Sequence, residues 1–162
     1  EILSGLVGSE MCIRDRNHLF ACTVALGTLT NLAKKEKDYP LALRMENLCL
    51  QLSSMFERDG VYGQDNNSYL MIAQLYAEQG KTREALDALH SYVSCAKLPL
   101  ASEAEKTGPF TSSLEFSSSS NSRSYLNRCA LMAVKETRAF DTLRENPEFA
   151  EILKELEQLP ES

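Results

Sequence analysis

The 162-residue chain has no tryptophan, two histidines, seven glycines and five prolines. These scarcities exclude several chemistries. His18 and His90 are the sole imidazoles, neither stands at ligand spacing from a cysteine, and there is no CxxC, so no zinc pattern is present. GxSxG, the P-loop and HExxH are also absent. The chain is therefore expected to be no enzyme and to carry no cofactor or metal. No apolar run approaches the roughly 20 residues of a membrane span. Positive charge is short too, with 17 Lys and Arg against 23 Asp and Glu and a net charge of −6. Phosphate contacts need clustered cations, so no nucleic-acid binding is expected through this segment. Cys22, Cys49, Cys95 and Cys129 are widely spaced in apolar helical contexts. They read as reduced small hydrophobes, in keeping with a cytoplasmic location.

The first residues lack the basic-then-apolar order of a secretory signal, and Glu1, Glu10 and Asp15 do not suit a mitochondrial presequence. Glu10 to Arg16, EMCIRDR, back-translates by one legal codon choice to GAG ATG TGT ATA AGA GAC AGN. That string contains AGATGTGTATAAGAGACAG and resembles the transposon mosaic end used as a sequencing-library adapter. Residues 1–16 are accordingly expected to be a non-native, poorly packed segment, with the natural protein running further upstream.

From Asn17 onward the periodicity is helical. Leu19, Cys22, Leu26, Leu29 and Ala33 form one stripe; Leu41, Met45, Leu48, Leu52 and Met55 form another after Pro40, which suits a first helical turn. Loops are expected near 58–66 and 98–122, the latter with the serine run Ser117 to Ser120. Between them, Tyr69, Ile72, Ala73 and Tyr76 share a face that ends at Gly80, and Thr82 is placed to cap the next helix, with Ala85, Leu89, Tyr92 and Ala96 as its stripe. Tyr125, Cys129, Met132 and Ala133 mark a further helix. Asn146-Pro147 is a cap followed by Pro at the first helical position, opening a last helix with Phe149, Ile152, Leu153, Leu156 and Leu159. No segment alternates with period two, so the fold class is all-α.

The segment Asn67 to Leu100 resembles a tetratricopeptide (TPR) repeat. Tyr69, Ile72, Ala73 and Tyr76 match its first helix, Gly80 its turn, and Ala85 and Leu89 its second helix; Tyr92 departs from the small residue expected there. A weaker copy lies upstream, with Leu26, Leu29, Thr30 and Ala33 in the first-helix positions and Ala42 standing where Ala85 does, a difference of 43 in number. Small residues at Ala73 and Ala85 let two helices approach closely, and one such repeat buries its face only by stacking on another. Phe140, Asp141, Leu143, Arg144, Asn146, Pro147, Phe149, Ile152 and Leu153 resemble the closing motif of bacterial TPR arrays, with Glu151, Lys154 and Glu155 expected to face water. The resemblance implies a TPR-like α-solenoid of antiparallel helix pairs over 17–159, ended by a capping helix.

The order of these parts resembles the C-terminal sensor half of bacterial Xre-type helix-turn-helix regulators, whose DNA-binding domain precedes the repeats. It implies a non-catalytic module that binds a protein or peptide. The alternatives are a free-standing TPR interaction scaffold and the TPR array of a larger signalling enzyme. The register places Asn31, Lys34 and Lys35 of the first copy, and Asn67, Gln74 and Glu78 of the second, on the groove-lining face, where amides can hydrogen-bond an extended peptide; the same residues also read as ordinary polar surface. Only Asn31, Lys34 and Lys35 offer a carboxylate clamp, which disfavours a chaperone-tail adaptor. Arg144, Glu145 and Glu148 read as a solvated face with i,i+4 pairing, and Tyr69 and Tyr76 as packing residues.

Overall fold

The computed structural model describes residues 21–55, 64–98 and 122–160; among them every regular element is a helix and there is no strand. The expectations for residues 1–16, His18, Leu19 and most of the two loops lie outside the described residues. Contacts divide the described chain into two units, one holding residues 21–55 and the other holding 64–98 and 122–160.

The first unit contains α1 (21–35) and α2 (Tyr39–Met55). α1 stops because Lys37 turns into the left-handed region (φ 60°). Its N–H then donates to the Lys34 carbonyl (3.1 Å), and the Asp38 N–H to that of Ala33 (2.8 Å). This is a Schellman closure, which satisfies carbonyls that a helix end leaves unpaired. Asp38 then starts α2, its carboxylate accepting the Leu41 N–H at 3.1 Å. Period and phase diverge in α2. The buried residues are Ala42, Met45, Glu46, Cys49 and Ser53, whereas Leu41 and Met55 of the expected stripe are 41% and 69% exposed. In α1, Thr30 and Ala33 are buried while Leu29 and Cys22 are exposed. Ala42, next to the hinge, is the residue of α2 sealed completely, and Leu41 beside it is exposed.

The second unit begins with α3 (Gln64–Glu78) and α4 (Thr82–Ala96). α3 starts earlier than the expected loop 58–66 allows, with Asp65 in its first turn, where a carboxylate complements the helix dipole. It ends as α1 does. Gly80 has φ 72°, its N–H donates to the Ala77 carbonyl (2.9 Å), and the Lys81 N–H donates to that of Tyr76 (3.0 Å). Thr82 does not cap α4: it is the first helical residue, and Lys81 holds the cap position without a side-chain bond.

α5 (Arg123–Lys135), a 3₁₀ segment (Arg138–Leu143) and α6 (Pro147–Glu157) complete the unit. The Ser122 hydroxyl caps α5 by accepting the Tyr125 N–H at 3.2 Å. Asn146 caps α6 by accepting the Glu148 N–H at 2.9 Å, with Pro147 at the first position as the sequence predicts. The core gathers Leu75, Leu86, Leu89, Val93, Val134, Phe140, Leu143, Phe149, Ile152 and Leu156, all essentially sealed from solvent. The rings of Phe140 and Phe149 sit 6.0 Å apart at 48°, within the range of favourable tilted aromatic pairs. In α5 the expected stripe faces outward: Tyr125, Cys129 and Met132 are exposed, and Asn127, Ala130 and Val134 are buried instead. The inward face meets α4 at one point, where the buried Tyr92 hydroxyl donates to the Ala130 carbonyl.

Candidate functional site

The residues that carry the repeat resemblance are spread along the α3–α4 pair, with Gly80 at its turn. Ala73, Ala85 and Leu89 are fully buried and Ile72 nearly so; Tyr69 and Tyr76 are half-buried. Gly80 supplies the left-handed turn, and no atom lies within 4 Å of where a Cβ there would be. Glycine is used at this hinge for its backbone freedom, and close approach is not the reason. Lys81 extends over the Tyr76 ring, 5.6 Å from its centroid, within cation–π range.

Of the expected groove residues, Asn67, Gln74 and Glu78 lie seven and four residues apart on one face of α3, Asn67 and Glu78 exposed and Gln74 half-buried. Gln74 and Glu78 already engage other groups of the protein. On α1, Asn31 and Lys35 are exposed and Lys34 is half-buried and engaged. The Asn31 amide donates back to the Gly27 carbonyl at 3.0 Å. One hydrogen of that amide is thereby committed, and its oxygen stays available as an acceptor. Each set forms a face on its own helix, polar, with acid at Glu78 and base at Lys34 and Lys35.

Tyr92, the departure from the small-residue pattern, has a structural role. It is buried, and its hydroxyl donates to the Ala130 carbonyl at 3.1 Å. Arg123 reaches the Ala96 carbonyl at 3.3 Å. The two contacts run in opposite senses along the helices, so α5 is reversed relative to α4. Two side-chain contacts tie α4 and its C-cap to α6: a hydrogen bond between His90 Nε2 and Glu148 Oε1 at 3.0 Å, and the ion pair of Lys97 Nζ with Glu155 Oε2 at 2.7 Å. The second lies seven residues after the first on both helices, so α4 and α6 point the same way. One expectation changes, the i,i+4 pairing of Arg144 with Glu148, whereas Glu155 keeps its expected exposure to water, its side chain 43% exposed. Glu148 meets His90 while Arg144 bonds Asp141 (2.8 Å) and the Lys135 carbonyl (3.0 Å). Glu155 is held by Lys97, whose hydrogen bond and charge keep its carboxyl below the ordinary value. Sequence offered one signal for this ladder, the matched seven-residue spacings, but not which helices would be neighbours.

The thiols divide by position. Cys49 and Cys95 are buried, Cys22 and Cys129 exposed, and all four are free, so the uniform small-hydrophobe reading holds for two of them. Burial, and then the charge of Asp65, push the Cys95 thiol up to about 11. The neighbouring Cys129 side chain pushes the pKa of the exposed Tyr125 hydroxyl up. Among the described residues no cluster of three or more His, Cys, Asp or Glu side chains is placed to hold a metal ion, and no helix is long and apolar enough to cross a membrane. No protein-family model, curated protein or solved structure matches the chain.

Proposed function

We propose that residues 17–159 are a TPR-like α-solenoid that binds a protein or peptide through the polar faces of its first-of-pair helices and catalyses nothing itself. The observation that supports this most is the recurrence of one hinge. Three backbone bonds at the α1–α2 turn (Lys37 to Lys34, Asp38 to Ala33, Ala42 to Asp38) recur at the α3–α4 turn (Gly80 to Ala77, Lys81 to Tyr76, Ala85 to Lys81), each moved by 43 residues. Ala42 and Ala85, which follow the hinges, are both completely buried. A repeated hinge with a small inner residue is what stacked helical pairs require. Beyond α4, α5 is reversed relative to α4, and α6 packs against both α4 and α5.

On this reading Asn67, Gln74 and Glu78 form one binding face and Asn31, Lys34 and Lys35 its counterpart in the first copy. The order of the parts, repeat-like pairs, a divergent unit and then the closing motif at Phe140 to Leu153, supports a narrower role, the cytoplasmic sensor part of a bacterial transcription regulator; a free-standing scaffold and a signalling enzyme's repeat array, which carries similar closing motifs, are the alternatives. Selection of displayed peptides against the immobilised full chain tests the binding role. The reading expects a saturable consensus whose binding falls at least about tenfold, or about 1.4 kcal/mol, in an Asn67→Ala/Gln74→Ala/Glu78→Ala variant. A consensus indifferent to that variant and to Asn31→Ala/Lys35→Ala rejects it. Reading source DNA upstream of the Asn17 codon separates regulator from scaffold, since the regulator requires an in-frame helix-turn-helix.

A further inference from the structure

The 43-residue correspondence lets the two hinged pairs be compared position by position, and the α1–α2 pair is the weaker copy at four of them. Thr30 stands where Ala73 does, Glu46 where Leu89 does, and Ser53 where Ala96 does. All six side chains are buried. In α3–α4 these positions are apolar. In α1–α2 they carry two hydroxyls and a carboxylate, and among the described residues neither the Thr30 nor the Ser53 hydroxyl has a hydrogen-bond partner. A buried polar group without a partner loses its water and gains nothing in exchange. The fourth position is the hinge itself. Lys37 adopts the left-handed backbone that Gly80 adopts in the other copy, and a Cβ makes that conformation unfavourable. One contact acts the other way, the Asp38 cap, which Lys81 does not reproduce.

We propose that the α1–α2 pair is a locally opening element, which unfolds and recloses while α3 to α6 stay folded. Its interior polar groups and its strained hinge set the opening equilibrium. The proposal does not depend on the binding role above, though a low-stability element is the part of a protein that a bound partner can order.

Hydrogen–deuterium exchange of the full chain, in the regime where exchange reports the open population, tests this. Amides from Thr30 to Ala33 and from Met45 to Ser53 should exchange at least about tenfold faster, about 1.4 kcal/mol in opening free energy, than those from Ala73 to Ala77 and from Leu86 to Val93. A Thr30→Ala/Glu46→Leu/Ser53→Ala variant, which copies the second pair's residues, should slow the first set and leave the second unchanged. Lys37→Gly should do the same to a smaller degree, and it serves alone if the triple variant fails to fold. Equal protection in the two pairs overturns the proposal. So does a first pair that stays fast in every folded variant, or a slowing shared equally by both pairs, which would make the chain one cooperative unit.

Discussion

Gly80 and Lys37 hold the same backbone conformation at equivalent hinges, so they should answer in opposite directions to exchange of their Cβ. At Gly80 no atom lies within 4 Å of a new Cβ, which removes steric clash and leaves conformation as the whole effect. A left-handed residue with a Cβ costs roughly 1–2 kcal/mol. Replacing glycine also removes unfolded-state freedom, returning roughly 0.5–1 kcal/mol. The difference spans about 0–1.5 kcal/mol, and its middle is a loss for Gly80→Ala of about 0.5–1 kcal/mol. Lys37→Gly reverses both contributions and gains about the same. Urea unfolding followed by circular dichroism reads the change directly. With a slope near ~2 kcal/mol per molar, the midpoint of the unit that carries the change should move by about 0.25–0.5 M, down for the α3–α6 transition in Gly80→Ala and up for the α1–α2 transition in Lys37→Gly. The reasoning is refuted if the two variants shift those midpoints in the same direction, or if Gly80→Ala leaves its own unmoved.

Other variants probe the second unit. Tyr92→Phe removes the hydroxyl's bond to Ala130 and should cost about 0.5–1.5 kcal/mol, measured by the same unfolding curves. Phe149→Ala empties the closed core beside Phe140 and should cost about 3–5 kcal/mol, enough for calorimetry to show early loss of the unit. Lys97→Met tests the Glu155 pair. Because the folded pKa of Glu155 is lowered from 4.5 by Lys97, its contribution is present above that value and is lost as pH falls through the folded pKa. The wild type should therefore exceed the variant by less than about 1 kcal/mol near neutrality, both side chains being substantially exposed, and the gap should close in acid and in high salt. A gap that widens in acid would contradict the assignment. Alkylation by iodoacetamide at pH 8, read by peptide mass spectrometry, should mark Cys22 and Cys129 well before Cys95, whose thiol titrates near 11.

Helix existence was legible in the sequence because period and punctuation agreed. Asn146-Pro147 and Gly80 act as the cap and the turn that their chemistry predicts. Phase was less legible. The eye follows the largest aliphatics, and in α2 and α5 those are Leu41, Met55, Tyr125 and Met132, which stay exposed. The residues that face inward, Ala42, Ala130 and Asn127 among them, are set by which side of each helix meets a neighbour, and that is not written in a single helix's period. The left-handed Lys37 was hidden for a related reason. Its position is dictated by the hinge, and lysine carries no turn signal of its own. The side-chain contacts from α4 to α6 needed tertiary adjacency. The expected polar faces on α1 and α3 were readable from register alone, since i, i+4 and i+7 residues share a face of any helix.

The measurement that tests the binding account most directly is a two-dimensional amide NMR titration of the full chain with a peptide selected against it. The account predicts saturable shifts concentrated at Asn67, Gln74 and Glu78 of α3 and at Asn31, Lys34 and Lys35 of α1, with the outward face of α5 at Tyr125, Cys129 and Met132 unmoved. Shifts confined to that α5 face, and absent from α1 and α3, would contradict it.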